Sequence, residues 1–492
     1  MGRGENRTGP VRWRGILVLS LPWAIVVLLL ISSPLLSRIS GPVSLVPSPL
    51  PGLTNTHPCP SVQPLVQECP PPPPPSLPPP QQPPLFELYH ARERQLPQHN
   101  LAAPFPDGNH AKYLWVDNHG FSFGWGNYMQ EMLLNAYLAY AADRAYVFDN
   151  YTWMRDGPEV VPWPVNGRLI PARIPLSAFI SGPLVGDRMP SSSPRAAAIS
   201  QEWYHQVCPE SERVVLDTRT IQDTFAAPPT AKQIIERWTM ELHNLTSRCV
   251  ELSKTSPRLF HDELIGTDRV LDIFPSLSAS PILQNFSWSP LIFGEFLANS
   301  HHFLPSSFNF TSHTLLAAIL DTELPIPGLL VLHVRRGDYE IWCPEAVANG
   351  LAFTGFNRFP QLSDKSPAPN ALSRCLPSIQ DIANKVRDVV SDQHAAGLPP
   401  LTRVYVMTNA KNDWLASLAE ALRAIQIWKD GIGTSRELSL SWEGRHVSQT
   451  VDMVVAQRAE VFVGNGFSSL TSNIVMLRMH NPKLDPRNIR FW

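Results

Sequence analysis

From Ala111 onward, short apolar runs alternate with longer stretches in which apolar residues recur every three or four positions. Tyr113-Leu114-Trp115-Val116 is unbroken and predicts a buried strand. A glycine-rich loop follows (Gly120, Gly124, Gly126), then helical spacing from Tyr128 to Ala142, then a second strand from Ala145 to Phe148. Prolines interrupt residues 151–325, where the pattern predicts a helix from Ala231 to Leu252 and apolar pieces at Val270 to Ile273 and Pro290 to Leu297. Pro325 and Pro327 punctuate the chain before a strand from Leu329 to Val334. Beyond it come a helix from Pro377 to Gln393, a strand from Arg403 to Thr408, and helices from Lys411 to Ile425 and Val447 to Gln457. A strand from Val461 to Gly464 and a last helix through Met479 complete the series. Alternating strands and helices predict an α/β fold with parallel sheets and right-handed crossovers.

The N-terminal part follows different rules. Gly15 to Leu36 is apolar and uncharged, and long enough to cross a hydrocarbon core as a helix. Arg3, Arg7, Arg12 and Arg14 precede it, opposed by Glu5 alone, which sets the short N-terminus in the cytoplasm and the remainder on the other side. A cleaved signal peptide competes, but the stretch is longer than a usual h-region and has no clear small-x-small cleavage site. Residues 37–106 are rich in Pro, Ser, Leu and Gln, with proline runs at 70–75 and 78–80; such a stretch predicts an extended, disordered stem. A proline-ligand role toward cytosolic partners is disfavoured by the same topology. The expected division is a tail at 1–14, a transmembrane signal anchor at 15–36, a stem at 37–106, an N-terminal lobe at 107–325 and a C-terminal lobe at 326–492.

Charge narrows the classes further. With 40 basic and 42 acidic residues the formal net charge is −2, without the basic footprint of a nucleic-acid binder. Sequons begin at Asn150, Asn244, Asn285 and Asn309, all downstream of the anchor, as a lumenal glycoprotein requires. The six cysteines are even in number; Cys208 with Cys249 and Cys343 with Cys375 are candidate pairs in an oxidising compartment, the connectivity being left open. No Cys-x-x-Cys or paired-His spacing and no Asp-x-Asp appears, so no metal is expected.

Candidate chemistry concentrates at three strand ends. Val331-Leu332-His333-Val334-Arg335-Arg336-Gly337-Asp338-Tyr339 is a buried strand closing on two adjacent guanidinium groups, at the edge where open α/β sheets bind ligands. Arginine's planar fork suits a diphosphate, so a nucleotide or sugar-nucleotide site is predicted; a surface ion pair of Arg336 with Asp338 is the competing reading. Arg336-Gly337-Asp338 also spells an adhesion tripeptide, but it abuts a buried strand. Gly464-Asn465-Gly466-Phe467-Ser468-Ser469 feeds a helix N-terminus, where free N–H groups and the helix dipole attract anions; simple capping is the alternative. Thr408 and Asn409 end a third strand, where an Asn is equally at home as a turn residue.

These motifs resemble those of the fucosyltransferase superfamily, which spans α1,2-, α1,6- and protein O-fucosyltransferases. The stretch 333–339 looks like the first donor-binding motif, 404–409 like the second, and Phe462-Val463-Gly464-Asn465 with Ser468-Ser469 like the third. Gly124-Trp125-Gly126-Asn127 is similar to the Gly-x-x-Asn loop of the N-terminal lobe. The resemblance covers about Lys112 to Phe148 and Leu329 to Leu477. It implies a GT-B-like fold of two Rossmann-like lobes facing a cleft, GDP-fucose as donor, no further cofactor, and inverting transfer to a glycan or glycoprotein hydroxyl. The short basic tail, the single apolar span, the proline-rich stem and the lumenal part together make the layout of a single-pass type II glycosyltransferase of the Golgi or endoplasmic reticulum membrane. Arg335 would stabilise the departing GDP, with His333, Arg336, Asp338, Asn127, Thr408, Asn409, Gly464, Asn465, Ser468 and Ser469 as further donor contacts. For the base, Asp117 or His119 is favoured by position in the first lobe, over Glu340 and Glu345; Glu460 falls near guanine in some members. The 335–339 stretch leans to the α1,2 branch and the serine loop to the protein O-fucosyl branch, which leaves the acceptor open. A non-catalytic glycan- or nucleotide-binding relative, or a transferase for another nucleotide sugar, are the alternatives.

Overall fold

The computed structural model of the protein describes residues 82–163, 166–191, 194–306, 324–364 and 371–492. The expected tail, anchor and most of the stem, Cys59, Cys69 and the sequon at Asn309 lie outside these residues. Among the described residues no helix is long and apolar enough to cross a membrane.

Helix α1 (Glu87–Arg94) corrects the expected stem at its C-terminal end. Phe86 is fully buried beside it, and Gln98 donates to the carbonyls of Gly186 (2.9 Å) and Ala198 (2.6 Å). Burying an aromatic side chain stabilises by roughly 1.5–3 kcal/mol, which ties residues 82–106 to the first lobe although their composition reads as stem.

The first lobe is built on β1 (Tyr113–Val116), helix α2 (Trp125–Ala141), β2 (Ala145–Phe148), β3 (Ile199–Ser200), β4 (Val214–Leu216), helix α3 (Ala231–Asn244) and β5 (Cys249–Leu252). Its strands form one parallel sheet in the order β3-β2-β1-β5-β4. The single helix expected from Ala231 to Leu252 is a helix and then a strand. Thr230 and Gln233 start α3 with a reciprocal capping box, the helix stops at Asn244, and Cys249–Leu252 pairs beside β1. A four-residue segment such as Cys249-Val250-Glu251-Leu252 cannot be told from the end of a helix by periodicity alone, and here neighbouring β1 and β4 decide. Helix α4 (Pro290–Ala298) replaces the unassigned apolar piece at 290–297.

The second lobe comprises β6 (Ile326–Val334), helix α5 (Tyr339–Ala348), helix α6 (Ile379–Ala395), β7 (Arg403–Thr408), helix α7 (Asn412–Arg423), β8 (Gly431–Thr434), helix α8 (Ser448–Gln457), β9 (Ala459–Gly464), helix α9 (Ser469–His480) and β10 (Ile489–Phe491). Its parallel sheet runs β8-β7-β6-β9-β10. Both faces of β6 are covered, which is why it reads as an unbroken apolar run. Leu330, Leu332 and Val334 pack with Ile382, Val386 and Leu418, whereas Leu329 and Val331 join the larger core with Val451 and Ile474. Both candidate disulfides are present, Cys208 to Cys249 and Cys343 to Cys375.

The first strand of this lobe is central, with β7 on one side and β9 on the other. Strand order therefore reverses between β6 and β9, and a crevice opens there at their carboxyl ends, where doubly wound sheets bind ligands. The loops leaving those two strands carry Arg335 and Ser468.

Candidate functional site

The chain leaves β6 at Val334 and turns into α5 through Gly337, whose φ of +52° suits glycine. Asp338 accepts from Arg335 Nε and Nη2, and the Arg335 guanidinium lies over the Tyr339 ring at 5.5 Å. The end of β7 holds this turn from beside. Asn409 Oδ1 accepts from the Arg336 amide (2.7 Å), its Nδ2 donates to Asp338 (3.0 Å), and the Thr408 hydroxyl donates to the Val334 carbonyl (2.7 Å). Thr408 and Asn409 thus frame the arginine turn.

Arg336 turns the other way. It stacks over Trp414 at 4.6 Å, donates to the Pro377 carbonyl (3.3 Å) and pairs with Glu340 (3.2 Å). The expected competition between a phosphate site and an Arg336–Asp338 pair resolves into Arg335–Asp338 and Arg336–Glu340. His333 lies beneath, buried, with Nδ1 2.6 Å from the Thr471 hydroxyl and its carbonyl accepting from the Trp492 indole (2.9 Å). Burial, and then the Arg335 charge, push its pKa down to about 3, so the imidazole is a neutral tie between β6 and α9.

The loop after β9 is equally knit. Asn465 is fully buried: Nδ2 donates to the Cys375 carbonyl (2.7 Å), Oδ1 accepts from the Phe467 amide (3.0 Å), and its own amide donates to Thr471 (3.2 Å). Gly464 faces Thr471, where a Cβ would stand 2.4 Å from Cγ2. Ser468 is the N-cap of α9, its hydroxyl making no cap bond, and Ser469 lies against Gly126 of the first lobe. His333, Gly464 and Asn465, expected as donor contacts, are thus tied into the second lobe by these contacts. A buried polar side chain in a matched motif serves either purpose, and spacing does not distinguish them.

Between the lobes lies a cavity of about 380 Å³. Gly124, Trp125, Tyr151, Trp153, Trp163 and Arg168 line it from the first lobe, and Arg335, Arg445, His446 and Gln449 from the second. Trp153 and Trp163 meet edge to face at 4.4 Å, and Trp125 stacks on Phe179 at 4.1 Å, so the aromatic wall is braced from behind. Among the described residues no Asp or Glu lines the cavity, and no carboxylate pairs with Arg168 or Arg445. Burial, then Arg168 and Arg445, push the His446 pKa down to about 4. The space is cationic, part aromatic, and suited to an anion joined to a ring.

Among the described residues Arg335 is the one predicted site residue on this wall. Asp117 pairs with Arg155 at 3.1 Å. His119 is buried, with Nε2 2.8 Å from Asp149 and Nδ1 3.1 Å from the Gly120 carbonyl; burial works to lower its pKa, but Asp149 outweighs this and raises it. Asn127 sits in the first turn of α2, its amide bonded to Gly124. Neither favoured base faces the cavity, nor do Glu340, Glu345 or Glu460. The wall residues Trp153, Trp163, Arg168, Arg445, His446 and Gln449 were not singled out from sequence. They come from irregular segments without periodicity, and a pair of tryptophans ten residues apart is their sole sequence signal.

No protein-family model matches the sequence, and no curated protein does. Solved structures do. The chain is similar to POFUT1 in complex with GDP, at 16% identity and a TM-score of 0.44 over 77% of this chain and 98% of that one. It is also similar to the fucosyltransferase NodZ from Bradyrhizobium, at 11% identity and 0.34 over 74% and 92% of the two chains. A mutant of Arabidopsis thaliana FUT1 in complex with GDP matches at 12% and 0.32, over 80% and 73%. All three of these solved structures are fucosyltransferases.

Proposed function

We propose that the protein transfers fucose from GDP-fucose to a hydroxyl of a glycan or glycoprotein, with inversion, as a single-pass type II protein whose catalytic region faces the lumen of the Golgi or endoplasmic reticulum. One observation carries the reading: Arg335 stands at the carboxyl end of β6, at the strand-order reversal, and opens onto an interlobe cavity with Arg168 and Arg445 and no carboxylate on its described wall. Departure of GDP develops charge on a diphosphate, and pre-oriented guanidinium groups stabilise that charge most where water is scarce. The α9 N-terminus, which packs on Gly126 next to the wall residue Trp125, adds its dipole from outside the wall. Asp338 takes Nε and Nη2 of Arg335, and among the described residues Nη1 carries no hydrogen bond, so a diphosphate can join the cation without displacing the pair. Trp153 and Trp163 supply aromatic surface on the wall against which a sugar ring can pack. Side-chain cations supply the charge, and no resident cofactor is invoked.

Incubation of the full-length protein with GDP-fucose and a panel of glycan and peptide acceptors tests this. Release of GDP with fucosylated product, undiminished by EDTA and lost in Arg335→Ala, is expected; no turnover with any acceptor overturns it. Competition among nucleotide sugars identifies the donor. The engagement of both Asp117 and His119 in ion pairs off the cavity favours a second reading, a nucleotide-binding relative without turnover. Tight GDP binding without product selects that one.

A further inference from the structure

We infer that His446 is the general base of this transfer, accepting the proton of the acceptor hydroxyl as its oxygen attacks the sugar. The inference rests on the proposed fucosyl transfer. Of the titratable side chains on the described wall, Arg168, Arg335 and Arg445 are cations, and the Tyr151 hydroxyl donates to the Phe123 carbonyl at 2.8 Å. His446 is the remaining one, and among the described residues its imidazole has no hydrogen-bond partner. An imidazole on the wall with neither ring nitrogen engaged is what a base requires.

The imidazole is also held in position. It ends the turn Gly444–His446, just before α8. Glu295 of α4 accepts from the Ser441 amide (3.2 Å) and from its hydroxyl, and a Cβ on Gly444 would overlap the Glu295 carboxylate, so this turn sits flush on α4. Two residues earlier, Asn299 and Ser439 exchange hydrogen bonds of 2.7 and 3.1 Å. A base set on a braced turn keeps its geometry through the reaction.

The charges around it agree with the role. Arg168 and Arg445 flank it, Arg335 and Gln449 share its wall, and burial with the first two holds the ring neutral at pH 7. When the donor's diphosphate occupies the site, its negative charge offsets those cations, so the ring becomes more basic once donor is bound. The step then balances. The acceptor O–H bond breaks with its proton going to the imidazole, the oxygen bonds to the anomeric carbon, and the bond from that carbon to the diphosphate oxygen breaks with its electron pair leaving on GDP beside Arg335. The imidazolium returns its proton to solvent.

The test compares the full-length protein with His446→Gln and His446→Ala. Expected are a kcat lower by about 100-fold or more, GDP affinity unchanged, loss of the acidic limb of the pH profile in His446→Gln, and partial rescue of His446→Ala by added imidazole. A fall in kcat of less than about tenfold, or one matched by an equal fall in GDP affinity, overturns the inference while leaving fucosyl transfer standing. Absence of turnover by the unmodified protein overturns the transfer itself, and the inference with it.

Discussion

Asp338 receives both prongs of the Arg335 guanidinium, each at 2.9 Å, so the plane of the cation is fixed before any ligand arrives. Burial acts to raise the Asp338 pKa, but the Arg335 hydrogen bonds and charge, together with Asn409, hold it below the usual carboxylate value. The pair's contribution is therefore present above about pH 4 and lost as pH falls through the depressed value. Asp338→Asn keeps the shape and removes the charge. Because the side chains are 36% and 55% exposed, the expected loss of stability is below about 1 kcal/mol. Donor turnover, which needs the guanidinium aimed, is expected to fall about tenfold. Thermal unfolding and GDP release check both; a large drop in Tm with undiminished turnover makes the pair a structural tie instead.

His119 is buried 2.8 Å from the part-buried Asp149, and the two are expected to govern stability against pH. Burial and Arg155 lower the imidazole pKa, while Asp149 and Glu131 raise it, and the net shift is upward. A raised folded pKa contributes stability that is complete below the unfolded value of about 6.5 and is lost as pH rises through the folded value. Asp149→Asn should therefore cost roughly 1–3 kcal/mol at pH 6 and distinctly less at pH 9. Urea unfolding of both proteins at the two pH values measures it, and a pH-independent difference refutes the coupling. Since His119 is off the cavity wall, His119→Gln should lower stability with kcat little changed in the protein that remains folded.

Gly337 tests the arginine turn through its backbone. At φ +52° a β-carbon is strained, and it would stand 2.9 Å from Asn409 Nδ2, the atom that bonds Asp338. Gly337→Ala should cost about 1–3 kcal/mol and weaken GDP binding as well, because Asn409 must move. Calorimetry and GDP titration report the two separately. Full GDP affinity in the variant would show that Asn409 does not set the arginine's aim.

Much of this architecture was legible in the sequence, for a physical reason. β1, β2, β6, β7 and β9 are covered on both faces, so each appears as an apolar run with helical spacing between them. β8 (Gly431-Ile432-Gly433-Thr434) and the three-residue β10 carry no such mark; they are strands because β7 and β9 offer them edges. At the site, Arg335 was readable because its position follows from the strand that ends beside it. His446 and Arg445 were not, since Glu295 and Asn299, about 140 residues earlier in the chain, fix the loop before them. No local periodicity records a tertiary bond of that kind.

The contact between Gly126 and the start of α9 gives the sharpest test of how the lobes shape the site. A β-carbon on Gly126 would lie 2.7 Å from both the Leu470 amide nitrogen and the Ser469 hydroxyl. Around this contact Asn473 donates to the Gly126 carbonyl (2.7 Å) and Gln130 to the Ser472 hydroxyl (2.6 Å). The α9 turn cannot retreat freely, since Asn357 holds the Gly466 and Ser468 carbonyls at 2.9 and 3.2 Å. Gly126→Ala must therefore push the first turns of α2 and α9 apart by several tenths of an ångström, at an overpacking cost of about 1–3 kcal/mol. Shifting Ser468 and Ser469 with the α9 N-terminus should also weaken GDP binding, whereas a core cavity elsewhere would lower stability alone. Gly294→Ala is the control, because nothing lies within 4 Å of its added β-carbon and alanine favours the helix by up to about 1 kcal/mol. If Gly126→Ala binds GDP as tightly as the unmodified protein does, the nucleotide does not reach the α9 N-terminus, and the diphosphate must rest on the arginines alone.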